Sequence, residues 1–140
     1  MTAEPVVFVV HSLAHLRAAL AAGEASGRKV VALSAPAATA YAGPEWFPAL
    51  IRQARAETPA ADLTAILDCG DRAGDVMAAL KAGATCIVFT GHPDAGRRLA
   101  AIAAQTGARI LRSRPPAFDL LNAADPVHTA RAAANRPTGP

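Results

Sequence analysis

Short apolar runs alternate along this chain with longer segments in which apolar residues recur every three or four positions. The runs are rich in valine, isoleucine and leucine and have the length of buried strands, whereas the segments between them have helical spacing. The runs do not alternate cleanly between apolar and polar residues, so we expect both faces of each strand to be buried, as in a parallel sheet. The predicted strands cover residues 6–10, 30–33, 63–67, 86–89 and 110–111.

Capping and breaking residues mark where the intervening helices begin and end. Serine and aspartate suit the position before a helix, and glycine commonly follows its last turn. Strands and helices that alternate with connections of this length require right-handed parallel crossovers. The sequence therefore predicts an α/β fold with a five-stranded parallel sheet and flanking helices, arranged as half a TIM barrel or as a flavodoxin-like sheet. The predicted helix starts are Ser12, Asp71 and Asp94, and the predicted helix ends are Gly27, Gly83 and Gly107.

A chain of 140 residues has the length of one domain with a short extension. We expect residues 1–114 to form the α/β domain and residues 115–140 to form a C-terminal arm or tail. Within that arm, short helices are predicted near residues 118–121 and 127–134. Residues 135–140 are polar and rich in proline and glycine, so we expect them to be disordered.

Charge and composition exclude several classes of partner. The net charge is +3, and residues 97–140 contain seven basic and two acidic residues. Six aromatic residues in the whole chain are too few for a base-stacking platform, so no nucleic-acid partner is expected. No apolar run approaches the roughly 20 residues of a membrane span, and the first residues lack the basic region of a signal peptide. Two cysteines without zinc-type spacing suit a reducing compartment, so we expect a cytoplasmic location.

Polar and small residues follow the predicted strands at the points where they end. The carboxyl ends of parallel strands meet at one edge of a sheet, so these residues are expected to line one cleft. Helix starts at the same edge would direct backbone N–H groups toward it, which favours a small phosphorylated or carboxylate ligand. The predicted ligand-binding residues are His11, Ser12, Ser34, Thr90, Gly91 and His92.

Asp68 and Cys69, at the end of the third strand, are the candidates for catalysis. Asp68 would act as an acid/base or a ligand anchor, or else only accept hydrogen bonds from the helix that follows. Cys69 would be a reactive thiol beside a helix start, or an inert small apolar residue. With His11 and His92, these residues would supply four ligands for a tetrahedral metal site. Their spacing lacks the paired pattern of such sites, so we expect no metal and no cofactor.

Four segments resemble, in collinear order, the class II fructose-bisphosphate and tagatose-bisphosphate aldolases, which are zinc-dependent TIM barrels. The likeness extends over residues 6–112 and therefore implies only the first half of a barrel. The second segment is similar to the family's S-x-G-A-x-x-Y-x-G loop, and the third resembles its L-D-H-G strand end. The segments are residues 8–18, 34–43, 67–71 and 85–91.

The resemblance implies one retained catalytic residue and one lost metal ligand. In the family, the aspartate matching Asp68 is a general acid/base, and the residue matching Cys69 is a zinc-binding histidine. The family has two asparagines where this chain has His11 and Ser12, and an aspartate where it has Thr90. The strands that supply the other zinc ligands lie outside the matched part, so the resemblance implies ancestry with a degenerate zinc site.

Five parallel strands cannot close a barrel, which takes about eight, so the open edges of the sheet need cover. We therefore expect a homodimer or a larger homo-oligomer. The expected function is that of a non-catalytic, aldolase-derived protein with a cleft for a small anion or other small molecule. Two alternatives stay open: a small lyase or isomerase that uses Asp68 as acid/base, and a regulatory or scaffolding partner that acts through its C-terminal arm.

Overall fold

A computed structural model describes residues 4–136, and it shows six strands and six helices in that part of the chain. The five predicted strands are confirmed to within one residue at each end. None of the helices in this part of the chain is long and apolar enough to cross a bilayer. In chain order the elements are β1 (Val6–Val9), α1 (Leu13–Ser26), β2 (Val30–Leu33), α2 (Thr39–Ala42), α3 (Trp46–Glu57), β3 (Leu63–Asp68), α4 (Ala73–Lys81), β4 (Cys86–Val88), α5 (Pro93–Ala104), β5 (Arg109–Leu111), β6 (Phe118–Asp119) and α6 (Pro126–Ala134).

The six strands run parallel in one open sheet with the order β5-β4-β3-β2-β1-β6. The predicted parallel α/β sheet is confirmed, with one strand more than the five expected. Strands β1 to β5 follow one another across the sheet in chain order, which is compatible with half a barrel. A flavodoxin-like sheet has the order 2-1-3-4-5, in which the direction reverses after the first pair of strands.

The two faces of the sheet are covered differently. The large buried side chains of the helices form one cluster with strand residues such as Phe8 and Ile87. The alternate strand positions, including Val9, Ile66 and Val88, form a second cluster that contains no helix residue. Right-handed crossovers between consecutive neighbouring strands place the helices on the same face, which explains this arrangement. We call the other side of the sheet the helix-free face.

Helix α1 has the boundaries that the sequence predicts. The Ser12 Oγ accepts the N–H of His15, and Gly27 follows the helix in a left-handed conformation with φ of 72°. Gly83 and Gly107 also have left-handed backbones just beyond the ends of α4 and α5. Only glycine adopts this conformation without strain, so these glycines end the helices as expected.

Two predicted helix caps are wrong. Asp71 lies two residues before Ala73, the first residue of α4, and does not cap that helix. Asp94 lies inside the first turn of α5, where the Nδ1 atom of His92 accepts the Asp94 N–H. Pro93 occupies the first helical position, which suits its fixed φ and its missing N–H, and so it sets the start of α5.

The C-terminal segment differs most from the expectation. The stretch near 118–121, predicted to be helical, contains the two-residue strand β6, which pairs with Phe8 and Val9 of β1. The helix predicted over 127–134 is confirmed as α6, and it packs against α1. A strand held by pairing with a distant part of the chain leaves little local pattern, which explains the error. Of residues 135–140, where disorder was expected, Asn135 and Arg136 continue from α6 and donate their N–H groups to the carbonyl oxygens of Arg131 and Ala133. Residues 137–140 lie outside the described part of the chain.

A six-residue crossover, residues 112–117, joins β5 at one edge of the sheet to β6 at the other. In a flat sheet, five spacings of about 4.8 Å between these strands would span about 24 Å. The seven steps from Leu111 to Phe118 reach about 24 Å only when fully extended. The crossover therefore requires the sheet to curl, and Arg114 at its middle contacts Asp68 on the helix-free face.

Replacing Gly23 with alanine is expected to destabilise the protein, whereas the same change at Gly74 is not. A Cβ on Gly23 would overlap the side chain of Val30 and lie 2.9 Å from the Arg28 carbonyl oxygen, where α1 approaches β2. A Cβ on Gly74 in α4 meets nothing within 4 Å. We expect Gly23→Ala to lower the free energy of unfolding by about 1–3 kcal/mol, and Gly74→Ala to raise it by about 0.5 kcal/mol. Urea unfolding measures both, and equal effects would contradict the close packing at Gly23.

Candidate functional site

The predicted site residues lie at the carboxyl edge of the sheet, where the parallel strands end. Hydrogen bonds join some of them into two groups, one around Asp68 and one around His11. Thr90 lies nearby and donates its N–H to the Gly70 carbonyl at 2.8 Å. His92 is exposed at the start of α5 and, within residues 4–136, makes no hydrogen bond to either group.

Asp68 is buried, and both of its carboxylate oxygens have partners. Its Oδ1 accepts the Gly70 N–H at 2.7 Å, and its Oδ2 accepts Nη1 of Arg114 at 2.8 Å. The adjacent Ser34 accepts the Asp68 N–H on its Oγ at 2.9 Å, and its carbonyl accepts Arg114 Nη1 at 3.0 Å. The Asp68 side chain is 3% exposed and the Arg114 side chain 25%. The negative charge is therefore compensated by a cation and an N–H group inside the protein.

Cys69 points away from Asp68, because successive side chains of an extended segment alternate between faces. It is fully buried in the cluster that contains the helix side chains. Burial raises the pKa of its thiol to about 12, and the nearby carboxylates of Asp75 and Asp68 add to the rise. At neutral pH the sulfur therefore carries its proton, whereas attack on a substrate and metal binding both need the thiolate.

The second group contains His11, Ser12 and two residues that the sequence did not single out, His15 and Asp119. The His11 Nε2 lies 2.7 Å from the Asp119 Oδ1, and the His11 N–H donates to Nδ1 of His15 at 3.1 Å. The two imidazole rings meet edge to face with centroids 5.6 Å apart. Ser12 is engaged as the cap of α1, where its Oγ accepts the His15 N–H. Because the His15 Nδ1 accepts a hydrogen bond, the neutral ring has its proton on Nε2.

The protein environment shifts the pKa of both of the unpredicted residues. Burial lowers the pKa of His15, and the neighbouring His11 lowers it further. Burial alone would raise the pKa of the Asp119 carboxyl. Hydrogen bonds from the Leu121 N–H and from His11 outweigh that effect and hold the pKa below its usual range. At neutral pH the second group therefore combines an uncharged His15 with an ionised Asp119.

A cavity of about 440 Å³ adjoins the second group. It lies between the end of β6 and α6, and its lining residues are Asp119, Leu121, Asn122, Ala123, Ala124 and Thr129. Cavities of about 230 Å³ and 510 Å³ lie elsewhere on the molecule. None of the eight residues predicted from the sequence lines any of these three cavities.

Three residues of the two groups were not predicted, because the sequence pattern around each of them is weak: Arg114, His15 and Asp119. Arg114 lies three residues past β5, so the rule that assigns sites to strand ends would have included it if applied to the fifth strand. His15 lies four residues after His11, a spacing at which two residues meet on one side of a helix turn. Asp119 had no such signal, because its place beside His11 depends on the pairing of β6 with β1.

A metal site is not assembled in the part of the chain that the structure describes. Within residues 4–136, no three His, Cys, Asp or Glu side chains are arranged to hold an ion. The four residues considered for a tetrahedral site are separated. Cys69 packs with the helices, Asp68 is paired with Arg114, and the His92 side chain is 73% exposed.

A scan against protein-family models finds no match to this chain, and a search of curated proteins finds no significant relative. The similarity to class II aldolases therefore rests on the four sequence segments. The structure adds a parallel α/β sheet whose strand order is compatible with half a barrel. These observations establish the fold class and leave the family as an interpretation.

Replacing Arg114 with methionine is expected to lower the free energy of unfolding by about 3 kcal/mol, because Asp68 is left buried without its cation. The double variant Asp68→Asn/Arg114→Met should lose less, since no buried charge remains. The control, Arg97→Met, removes an exposed pair with Asp94 and is expected to cost less than about 0.5 kcal/mol. Urea unfolding of the wild-type protein, Asp68→Asn, Arg114→Met and the double variant measures the coupling. A double variant that shows the sum of the two single losses would contradict it.

The protein is expected to lose stability as the pH falls from 7.0 to 5.5, in part through His15. The unfolded chain binds a proton at His15 near pH 6.5, whereas burial lowers the pKa of His15 in the folded chain. Between these two values the unfolded state binds more protons, so stability rises with pH across that window. His15→Asn keeps an acceptor for the His11 N–H and should reduce the difference, measured by urea unfolding at both pH values. The exposed His128→Asn is the control, and an unchanged pH dependence in His15→Asn would exclude His15 as a source.

Proposed function

We propose that this protein is a non-catalytic, aldolase-derived binding protein. It holds a small phosphorylated or carboxylate ligand at the carboxyl edge of the sheet and works as a homo-oligomer. The observation that carries the proposal is the incomplete hydrogen bonding of the Arg114 guanidinium. Its Nη1 is fixed by Asp68 and Ser34, whereas its Nε and Nη2 make no hydrogen bond within residues 4–136. A guanidinium presents its donors in a planar fork that matches carboxylate and phosphate oxygens.

The groups around Arg114 indicate that an anion would bind there with modest affinity. A quarter of the side chain is exposed, so a small ligand has access to it. Helix α1 begins at the same edge, and the positive end of its dipole favours a negative charge. The Asp119 carboxylate is close enough to interact with Arg114 and opposes an incoming anion. The hydrogen bond between His11 and Asp119 reduces the repulsion between this carboxylate and the anion.

The alternative of a lyase or isomerase has less support. An acid/base role for Asp68 requires a carboxylate oxygen that a substrate can reach, and this side chain is only 3% exposed, with each oxygen held by a group of the same chain. Cys69 lies on the other side of the strand end with its thiol protonated, so it could not assist such a proton transfer. Binding without catalysis makes use of the same edge of the sheet and requires neither residue to react.

Aldolase ancestry and self-association are part of the same proposal. Consecutive strands are neighbours in a TIM barrel, and β1 to β5 have this order here. β5 forms one edge of the sheet, and Val7, Val31 and Leu111 on the helix-free face are only partly buried. A second copy of the chain would cover both features. The alternative of a C-terminal arm that reaches a partner has less support, because β6 pairs with β1 and α6 packs on α1.

Titration calorimetry and thermal unfolding with inorganic phosphate and with succinate test the anion site. An anion at ten times its Kd raises the free energy of unfolding by about 1.4 kcal/mol, which either method detects. We expect both probes to bind the wild-type protein and Arg114→Lys to bind them at least tenfold more weakly. Lysine retains a cation for Asp68 but loses the planar fork.

Arg98→Lys is the matched control, because Arg98 is an exposed residue in the middle of α5 and belongs to neither hydrogen-bonded group at this edge. It should bind both probes as the wild-type protein does. The proposal is wrong if neither probe binds the wild-type protein, or if Arg114→Lys binds with unchanged affinity.

A further inference from the structure

A groove on the helical side of the sheet lies between α3 and the loop that joins α4 to β4. Its volume is about 230 Å³, and its floor includes Phe47, Ile51 and Leu67, each at most 3% exposed. The groove is open because the residues opposite α3 are small, namely Ala65 and residues 82–84. It borders the start of β4 on the side of the sheet opposite to Asp68, and so it is separate from the carboxyl-edge site.

Two arginines stand at the rim of this groove. Arg52 and Arg55 are three residues apart in α3 and therefore lie on the same side of the helix. Each donates to one carbonyl oxygen, Arg52 to Ala82 at 3.4 Å and Arg55 to Leu63 at 2.9 Å. Within residues 4–136, neither forms a salt bridge, in contrast to Arg17, Arg72, Arg97 and Arg114. Both guanidinium groups therefore have donors left for an anion beside an apolar floor.

We propose that this groove binds an amphipathic monocarboxylate. The carboxylate lies between Arg52 and Arg55, and the alkyl chain covers the floor formed by Phe47, Ile51 and Leu67. A groove of about 230 Å³ has room for a short alkyl chain, for which octanoate is the probe. The pairing of an apolar floor with two cations that form no salt bridge within residues 4–136 favours this ligand over a neutral hydrocarbon, which would leave the cations unused, and over a purely polar anion, which would make no apolar contact in the groove.

Titration calorimetry with octanoate, acetate and 1-octanol separates the contributions of charge and chain. Octanoate is expected to bind at least tenfold more tightly than acetate, since each buried methylene contributes roughly threefold to fourfold in affinity. It is also expected to bind at least tenfold more tightly than 1-octanol, which lacks the carboxylate that the arginines would pair with. Arg52→Gln/Arg55→Gln should weaken octanoate at least tenfold and leave 1-octanol unchanged. Ala65→Leu places a larger side chain in the groove and should abolish binding of both. Circular dichroism establishes that each variant is folded, and Ala84→Leu replaces Ala65→Leu if the latter unfolds.

Two further variants separate this site from the carboxyl edge. Arg98→Gln, an exposed arginine on α5, should bind octanoate as the wild-type protein does. Arg114→Lys should also retain octanoate binding, whatever it does to phosphate and succinate. The proposal is overturned if octanoate does not bind, if it binds no better than 1-octanol, or if the double arginine variant binds it normally. Loss of octanoate in Arg114→Lys would assign the carboxylate to the carboxyl edge and would also overturn the groove site.

Discussion

The ion pair between Asp68 and Arg114 fixes the point at which the chain returns to the sheet. Arg114 lies halfway along a crossover of six residues, so holding it at the ends of β2 and β3 restricts where residues 118–119 can lie. Those residues pair with β1, and α6 then packs on α1. Arg28 reinforces the closure, because its guanidinium donates to the carbonyl oxygens of Glu4 and Ala134 at 2.8 and 2.9 Å. The buried carboxylate of Asp68 therefore helps to position β6 and α6, together with these contacts.

This structural use of Asp68 bears directly on the chemistry at the carboxyl edge. A carboxylate that exchanges protons needs an accessible oxygen, and here both oxygens hold parts of the same chain. The resemblance to aldolases implies that an ancestor used the matching aspartate in catalysis. In this chain Asp68 holds Arg114, at the middle of the crossover that follows β5. Under the proposed function, the engagement of both Asp68 oxygens accounts for binding without catalysis as well as for the position of the crossover.

Local sequence patterns predicted the fold well where elements are long and apolar. The strand runs and the glycines after the helices identified β1 to β5, because burial and left-handed backbones restrict the residue types at those positions. The sixth strand has two residues and is held by pairing with Phe8 and Val9, which no local pattern reports. Asp71 and Asp94 have the right chemistry for caps, but Pro93 and the geometry after β3 place the helix starts elsewhere.

The candidate site was predicted in part for the same reason. The ends of parallel strands converge in any such sheet, which placed Ser34 and Asp68 together without knowledge of the rest of the fold. Arg114 and Asp119 reach that edge only through the crossover. Their contribution therefore depends on long-range contacts: Arg114 and Asp68 are separated by 46 positions in the chain, and Asp119 and His11 by 108. Long-range contacts of this kind also determine which polar atoms of the candidate side chains are already hydrogen-bonded within the protein and which can still bind a ligand.

The pairing of β1 with β6 has a consequence for synthesis. One edge of β1 is covered once β2 has been made, but the other edge waits for Phe118 and Asp119. At ribosomal rates of about 5–20 residues per second, the nascent chain exposes that edge for roughly 4–17 seconds. During this interval β6 and α6 of a neighbouring finished chain offer the same hydrogen bonds. Exchange of β6 and α6 between two chains is therefore a misassembly that this topology permits.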